Sequence, residues 1–148
     1  MNLNEAGKSL IKSFEGCKLK AYKCPAGLDT IGFGSTWYPD GTKVKEGDVI
    51  TQERANELFD AVVEDFVKKV RPLIKKDLTD NSFSALVSFA YNAGVGNLKN
   101  STLLKKVNND PKDPTIAAEF SKWVRANDRV MQGLVKRRKA EADLYFKA

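Results

Sequence analysis

"SFEGCKLKAYKCPAGLDTIGFGST", residues 13–36, joins the end of one helical pattern to a stretch of quite different texture, and the fold turns on where that change falls. It holds Glu15, both cysteines of the chain (Cys17 and Cys24), Thr30, and the glycines Gly16, Gly27, Gly32 and Gly34. Upstream, Leu3, Ala6, Leu10, Ile11 and Phe14 share one face at helical spacing, which predicts a helix over 3–16 that Gly16 ends. Glu15 then stands at the C-terminal edge of that helix. From 17 to 50, glycines and the prolines Pro25 and Pro39 punctuate short Thr, Ile, Phe, Trp, Tyr and Val segments, the texture of a small twisted antiparallel sheet. "WYPDGTKV", residues 37–44, reads as a turn between two of its strands.

After Thr51, a candidate N-cap, apolar residues from Ala55 to Val70 step by three and four until Pro72. This predicts a long helix, with Pro72 either ending or kinking it. Helical patterns then follow one another: 82–94 stopped by Gly94, 101–109, 114–127 with Pro114 near its start, and 133–147. Residues 78–148 therefore read as all-helical. The expected class is α+β, mostly helical: a small sheet-containing lobe at about 17–55, a connecting helix at about 52–75, and a helical lobe at about 78–148 joined by helix 1. A mixed lobe set against a helical one is expected to leave a cleft, a favoured place for ligands.

The bulk properties narrow the chemistry. At 148 residues and 42% hydrophobic, the chain is long enough for one domain or two small lobes sharing a core. No span has the length of a membrane helix or signal segment, so a soluble, unexported chain without stable membrane insertion is expected. With no histidine, imidazole bases, His metal sites and Ser-His-Asp or Cys-His nucleophiles are excluded. Carboxylates, thiols, hydroxyls or lysines must carry any catalysis. Two cysteines without C-x-x-C spacing build neither a structural zinc site nor a thioredoxin motif. A charge of +6, from 25 Lys+Arg against 19 Asp+Glu, favours an anionic partner through a salt-sensitive attraction.

Glu15 is followed after eight residues by Cys24 and after five more by Thr30, and then at once by "IGFGST". This spacing resembles the phage-type lysozymes, or endolysins, of glycoside hydrolase family 24, in which a Glu, an Asp or Cys, and a Thr stand at these intervals. "ITQERANELF", "NSFSALVSFAYNAGVGNLKNSTLL" and "GLVKRRKAEADLYF" are similar to the family as well, so the resemblance runs nearly the whole chain. It implies a lysozyme-like fold and a muramidase that hydrolyses, with inversion, the β-1,4 bond between N-acetylmuramic acid and N-acetylglucosamine in peptidoglycan, without metal or cofactor. It also implies accumulation in the host cytoplasm until a separate membrane-permeabilising protein opens the way to the periplasmic cell wall. Nothing demands more than a monomer, and no nucleic-acid partner is expected.

Physical reading of the residues agrees. Glycosidic cleavage needs an acid at the leaving oxygen and a group on the other face of the ring to orient water or stabilise positive charge. Glu15 is the candidate acid, and Cys24 and Thr30 are the candidates for water. Cys24 stands where many relatives have Asp, and a thiol is the poorer base unless ionised. Asp29 is the rival second carboxylate, but neighbours in a strand face opposite ways, which favours Thr30. Gly32 and Gly34 are expected where backbone meets sugar or where the sheet curves. The resemblance points to Arg137 as a cation facing the acid, against a solvated basic face in "KRRK". It also puts Asn92 near substrate, against a helix-terminal role beside Gly94.

Some secreted relatives resemble this chain in carrying thiols at the spacing of Cys17 and Cys24 and control activity by disulfide exchange. Two readings stand: a Cys17–Cys24 bond formed on oxidation that inhibits the enzyme, or thiols that never meet. Two other functions also stand. A lytic transglycosylase would need only the acid and yield an anhydro-sugar. A nonenzymatic cationic module would bind nucleic acid or membranes with steep salt dependence.

Overall fold

The computed structural model describes all residues, Met1–Ala148. In chain order they form α1 (Glu5–Glu15), β1 (Lys18–Lys23), β2 (Asp29–Gly32), α2 (Gln52–Val70), a 3-10 turn (Arg71–Leu73), α3 (Asp80–Ala93), α4 (Val95–Lys99), α5 (Thr102–Asn109), α6 (Ile116–Ser121), β3 (Arg125–Ala126), β4 (Arg129–Val130) and α7 (Gln132–Tyr145). The chain divides into two compact units, Glu15–Asp65 and Met1–Phe14 with Phe66–Ala148. No helix is long and apolar enough to cross a membrane.

In the Glu15–Asp65 unit, α1 gives way to a hairpin because Gly16 takes a φ of 68°, a left-handed conformation that stops a helix and suits glycine. β1 and β2 pair antiparallel with Lys18 opposite Gly32, Tyr22 opposite Thr30 and Lys23 opposite Asp29; a bulge lies between Lys18 and Tyr22. The other edge of β1 is held by Ala21 N–H to Asp48 O (2.8 Å) and Ile50 N–H to Leu19 O (2.8 Å). No β1 residue is buried, whereas Thr30, Ile31 and Gly32 of β2 are. Ile31 and Phe33 pack with Ala55, Leu58 and Phe59 in the core, where Phe33 meets Phe59 edge-on at 5.4 Å. Thr51 caps α2, its hydroxyl accepting from Arg54 N–H at 3.1 Å. Residues 37–44 do turn tightly, with Tyr38 N–H to Thr42 O at 2.8 Å, but only a single bridge, Trp37 to Lys43, flanks the turn in place of the expected strands.

α2 stays helical to Val70, and Pro72 sits in the 3-10 turn that follows, after which Ile74 is extended. α3 is the centre of the second unit: every residue from Ser82 to Ala90 is buried, the mark of a helix packed on all sides. Caps are made by Thr79, accepting from Ser82 N–H, and Ser101, accepting from Leu104 N–H. Asn4 ties the chain start to α3 through Ser84 Oγ (3.1 Å) and Asn81 Oδ1 (2.8 Å). Phe89 packs edge-on against Phe120 and Trp123.

The expectation of an all-helical 78–148 is corrected at 122–131. α6 stops at Ser121, and β3 and β4 form a hairpin with Arg125 opposite Val130. Asn127 and Asp128 sit at its tip with φ of 51° and 62°. Two consecutive positive φ values define a type I′ turn, and Asn and Asp are the side chains that tolerate it best after glycine.

Candidate active site

Glu15 is the last residue of α1, and its carboxyl lies against Gly34. A Cβ built at Gly34 would stand 3.0 Å from Glu15 Oε2 and 3.8 Å from its Cδ, and Gly34 has a φ of 91°. Glycine is therefore required here both by the backbone and by the carboxyl. Gly34→Ala is expected to cost about 1–2 kcal/mol through the left-handed backbone. The methyl group is also expected to displace the Glu15 carboxyl, so that any activity depending on Glu15 falls on the order of 100-fold. Activity and thermal midpoint measured on one preparation check this: a fully active Gly34→Ala protein would show that the carboxyl has room to move.

Gly32 also has a positive φ, 66°, but its missing side chain points toward Ile50, Leu58 and Ala55 in the core. The turn of the chain accounts for this glycine, without any need for a ligand to approach.

Cys24 follows β1 and opens the turn into β2, its carbonyl accepting from Gly27 N–H (2.8 Å) and its N–H donating to Leu28 O (3.0 Å). The Thr30 hydroxyl, and after it the Leu28 N–H, hold the Cys24 thiol below its ordinary range, with desolvation opposing them. Thr30 is buried and donates to Leu28 O at 2.9 Å.

Tyr22, which the sequence reading passed over, belongs to the same neighbourhood. Its phenol is pushed up by burial and then by the charges of Glu15 and Cys24. The signal that would have found it is alternation: Tyr22 stands two residues before Cys24 and so shares its face. Asp29 goes the other way. It pairs with Lys23 at 2.8 Å and lines a separate groove of about 330 Å³ with Leu28, Trp37 and Lys43.

Asn92 and Arg137 lie in the second unit. Arg137 is buried and donates through Nε to Glu141 Oε2 (3.3 Å) and through Nη2 to Ser88 O (3.2 Å), with its guanidinium 5.9 Å from the Phe14 ring centre. Arg138 is buried as well, donating to Glu141 Oε1 at 2.8 Å and to Asn92 Oδ1, and stacks over Phe89 at 4.9 Å. "KRRK" is therefore not a uniformly solvated basic face: its two arginines turn inward. Arg137 presents little surface to a ligand, and Asn92 is held by Arg138. Burial pushes the Glu141 carboxyl up while the two guanidiniums and the Ser88 hydroxyl pull against it.

A helix-ended carboxyl beside a short hairpin, in a chain otherwise mostly helical, is the lysozyme-like fold. The phage lysozyme family model matches residues 12–141, and the chain belongs to that family. The endolysin of Bacillus phage B103 is 45% identical over 99% of this chain and 54% of its own length. The chain thus spans about half the length of that relative. Among solved structures, the endolysin from Escherichia coli O157:H7 phage FAHEc1 superposes with a TM-score of 0.89 at 39% identity, covering 99% of this chain and 94% of that one. The muramidase domain of SpmX from Asticaccaulis excentricus superposes with a TM-score of 0.87 at 32% identity, covering 99% of each.

Proposed function

We propose that this chain is an endolysin muramidase that hydrolyses the β-1,4 linkage between N-acetylmuramic acid and N-acetylglucosamine in peptidoglycan. The observation that carries this reading is the match of the phage lysozyme family model over residues 12–141, supported by the presence of Glu15, Cys24 and Thr30 in the Glu15–Asp65 unit. Glu15 gives its proton to the glycosidic oxygen as the C–O bond breaks. A water attacks the anomeric carbon from the opposite face, and its oxygen stays on the sugar. Cys24, as thiolate, takes the proton that water loses, while Thr30 orients water and thiolate by its hydroxyl. No step calls on a metal or cofactor. The net positive charge draws the protein to the anionic wall. It acts as a monomer, waiting in the host cytoplasm until a separate membrane-permeabilising protein admits it to the wall.

Products decide between this reading and its rivals. Digestion of purified peptidoglycan is expected to release fragments ending in reducing N-acetylmuramic acid. An anhydro-sugar would mean a lytic transglycosylase, and salt-sensitive binding without soluble product would mean a cationic module.

The thiols supply a second test. Both are free, and Cys17 Sγ lies 3.7–3.8 Å from the Gln52 amide. They flank β1, and a six-residue strand spans about 17 Å, far beyond the roughly 7 Å that a disulfide bridges. Oxidation therefore requires β1 to leave β2 and consumes Cys24, so a bond between the two thiols inhibits. Its formation is eased because no β1 side chain is buried. Oxidised protein is expected to lose lysis and regain it with reductant, whereas Cys17→Ser stays active under oxidant. A peptide-mapped Cys17–Cys24 bond in a fully active protein would end this proposal.

A further inference from the structure

We propose that the groove walled by Trp37 and Leu28 is a second glycan-binding site, which holds one amino-sugar ring of peptidoglycan away from the catalytic groups and tethers the enzyme to its polymer. The identity of that polymer rests on the muramidase reading. The groove has a volume of about 330 Å³, and its walls include Leu28, Asp29, Thr36, Trp37, Lys43 and Val44, all within the Glu15–Asp65 unit. Two turns build it. In one, Val44 N–H donates to Thr36 O (3.0 Å) and Tyr38 N–H to Thr42 O (2.8 Å), so Trp37 and Lys43 between them form a directly opposed pair without hydrogen bonds of its own. Side chains approach closest across a ladder in such a pair, which sets indole and ammonium side by side. In the other, Gly27 N–H donates to Cys24 O (2.8 Å) and Cys24 N–H to Leu28 O (3.0 Å), fixing the backbone that carries Leu28.

The chemistry of the walls fits a sugar. Val44 is buried, whereas Trp37 is 38% and Leu28 54% exposed. A tryptophan left open beside a formed groove, with a few polar groups converging on it, marks a binding surface. The electron-rich face of an indole attracts the weakly positive C–H groups of a pyranose ring, and Leu28 offers an apolar contact to an N-acetyl methyl. The Thr36 hydroxyl, the Asp29 carboxylate and the Lys43 ammonium supply acceptors and donors for ring hydroxyls and the acetamido group. Asp29 is already held by Lys23 at 2.8 Å, so its carboxylate is oriented before a sugar arrives. Asp29 and Thr30 are neighbours in β2 and face opposite ways. A ring in this groove therefore belongs to a part of the polymer that Thr30 does not touch.

Other occupants fit less well. Lys43 is the only cation among the lining residues and Asp29 the only acid, so the groove has no net charge to draw a polyanion. A nucleic acid or an anionic bilayer is gripped by a run of cations instead. A stable protein partner covers about 800 Å² on each side, whereas this groove lies at the small end of ligand sites and suits a single ring. One ring binds weakly by itself. On a wall made of repeating sugars, a weak second contact raises the local concentration of enzyme without changing the chemical step.

The test compares wild type, Trp37→Ala and Trp37→Phe on insoluble peptidoglycan sacculi and on short soluble fragments of the same peptidoglycan, with a thermal midpoint for each protein. Binding to sacculi is measured by co-sedimentation in the Glu15→Gln background, where cutting does not consume the polymer. Trp37→Ala is expected to bind sacculi about tenfold more weakly, as loss of an aromatic anchor does, and to lyse them more slowly in proportion. Its rate on soluble fragments is expected to stay within about twofold of wild type, which also verifies its fold. Trp37→Phe keeps an aromatic face and should recover most of the binding. Unchanged binding in Trp37→Ala, an equal loss of rate on both substrates, or a Trp37→Phe protein as weak as Trp37→Ala would each overturn the inference. A wild type that binds sacculi through Trp37 yet releases no soluble product would instead bring down the muramidase reading and leave the site standing.

Discussion

Glu15→Gln is expected to reduce wall lysis by about 10²–10⁴-fold, the contribution of a positioned general acid, while the protein still folds. The substitution is nearly isosteric. An amide occupies the space that Gly34 leaves open, where a Cβ would come within 3.0 Å of Oε2, so the site keeps its shape. The amide has no acidic proton to give. No histidine exists in the chain to take over, and Asp29, the other carboxylate near the hairpin, is engaged by Lys23 and lines a different groove. Turbidity loss of permeabilised cells, read with far-UV circular dichroism to verify folding, checks the prediction. If Glu15→Gln lyses as wild type does, Glu15 takes no part in the chemistry. The +6 charge then becomes the leading explanation of any lytic effect, to be pursued through its dependence on salt.

Glu141→Ala is expected to lower stability by about 3–5 kcal/mol, because it removes one partner from a buried ion cluster. For a chain of this size that corresponds to a fall of roughly 10 °C in thermal midpoint. Glu141 has no exposed surface, and it accepts from Arg138 at 2.8 Å, Arg137 at 3.3 Å and the Ser88 hydroxyl. With Glu141 replaced, two guanidiniums inside the α3–α7 contact lose the buried carboxylate that accepts from both. The loss should exceed that of an exposed pair on the same helix, such as Lys139 with Asp143, which is worth at most about 1 kcal/mol. Thermal denaturation of Glu141→Ala beside Asp143→Ala measures the difference. Equal midpoints would mean that the arginines swing out to water when their partner is removed.

Local rules made the long elements legible. Gly16 ends α1, Thr51 caps α2 and Gly94 ends α3, each through a backbone or side-chain preference that acts within a few residues. The Glu15, Cys24 and Thr30 spacing was legible for the same reason: one helix end and one hairpin carry all three, and strand alternation sorts Thr30 from Asp29. The 122–131 segment failed that reading. Its apolar residues fit a helical period, and the Asn127–Asp128 pair that specifies the turn is a weaker signal than Asn-Gly.

The amino-acid sequence by itself determined the helical segments, the chemistry open to a chain without histidine, and the family to which its spacings belong, because periodicity, capping and composition are properties of neighbouring residues. Only the tertiary structure decided that the arginines of "KRRK" turn inward on Glu141, that Tyr22 faces Thr30, and that Gly34 makes room for a carboxyl nineteen positions before it. Burial, cross-strand register and close approach are set by residues far apart in the chain, and no local pattern records which of them will meet.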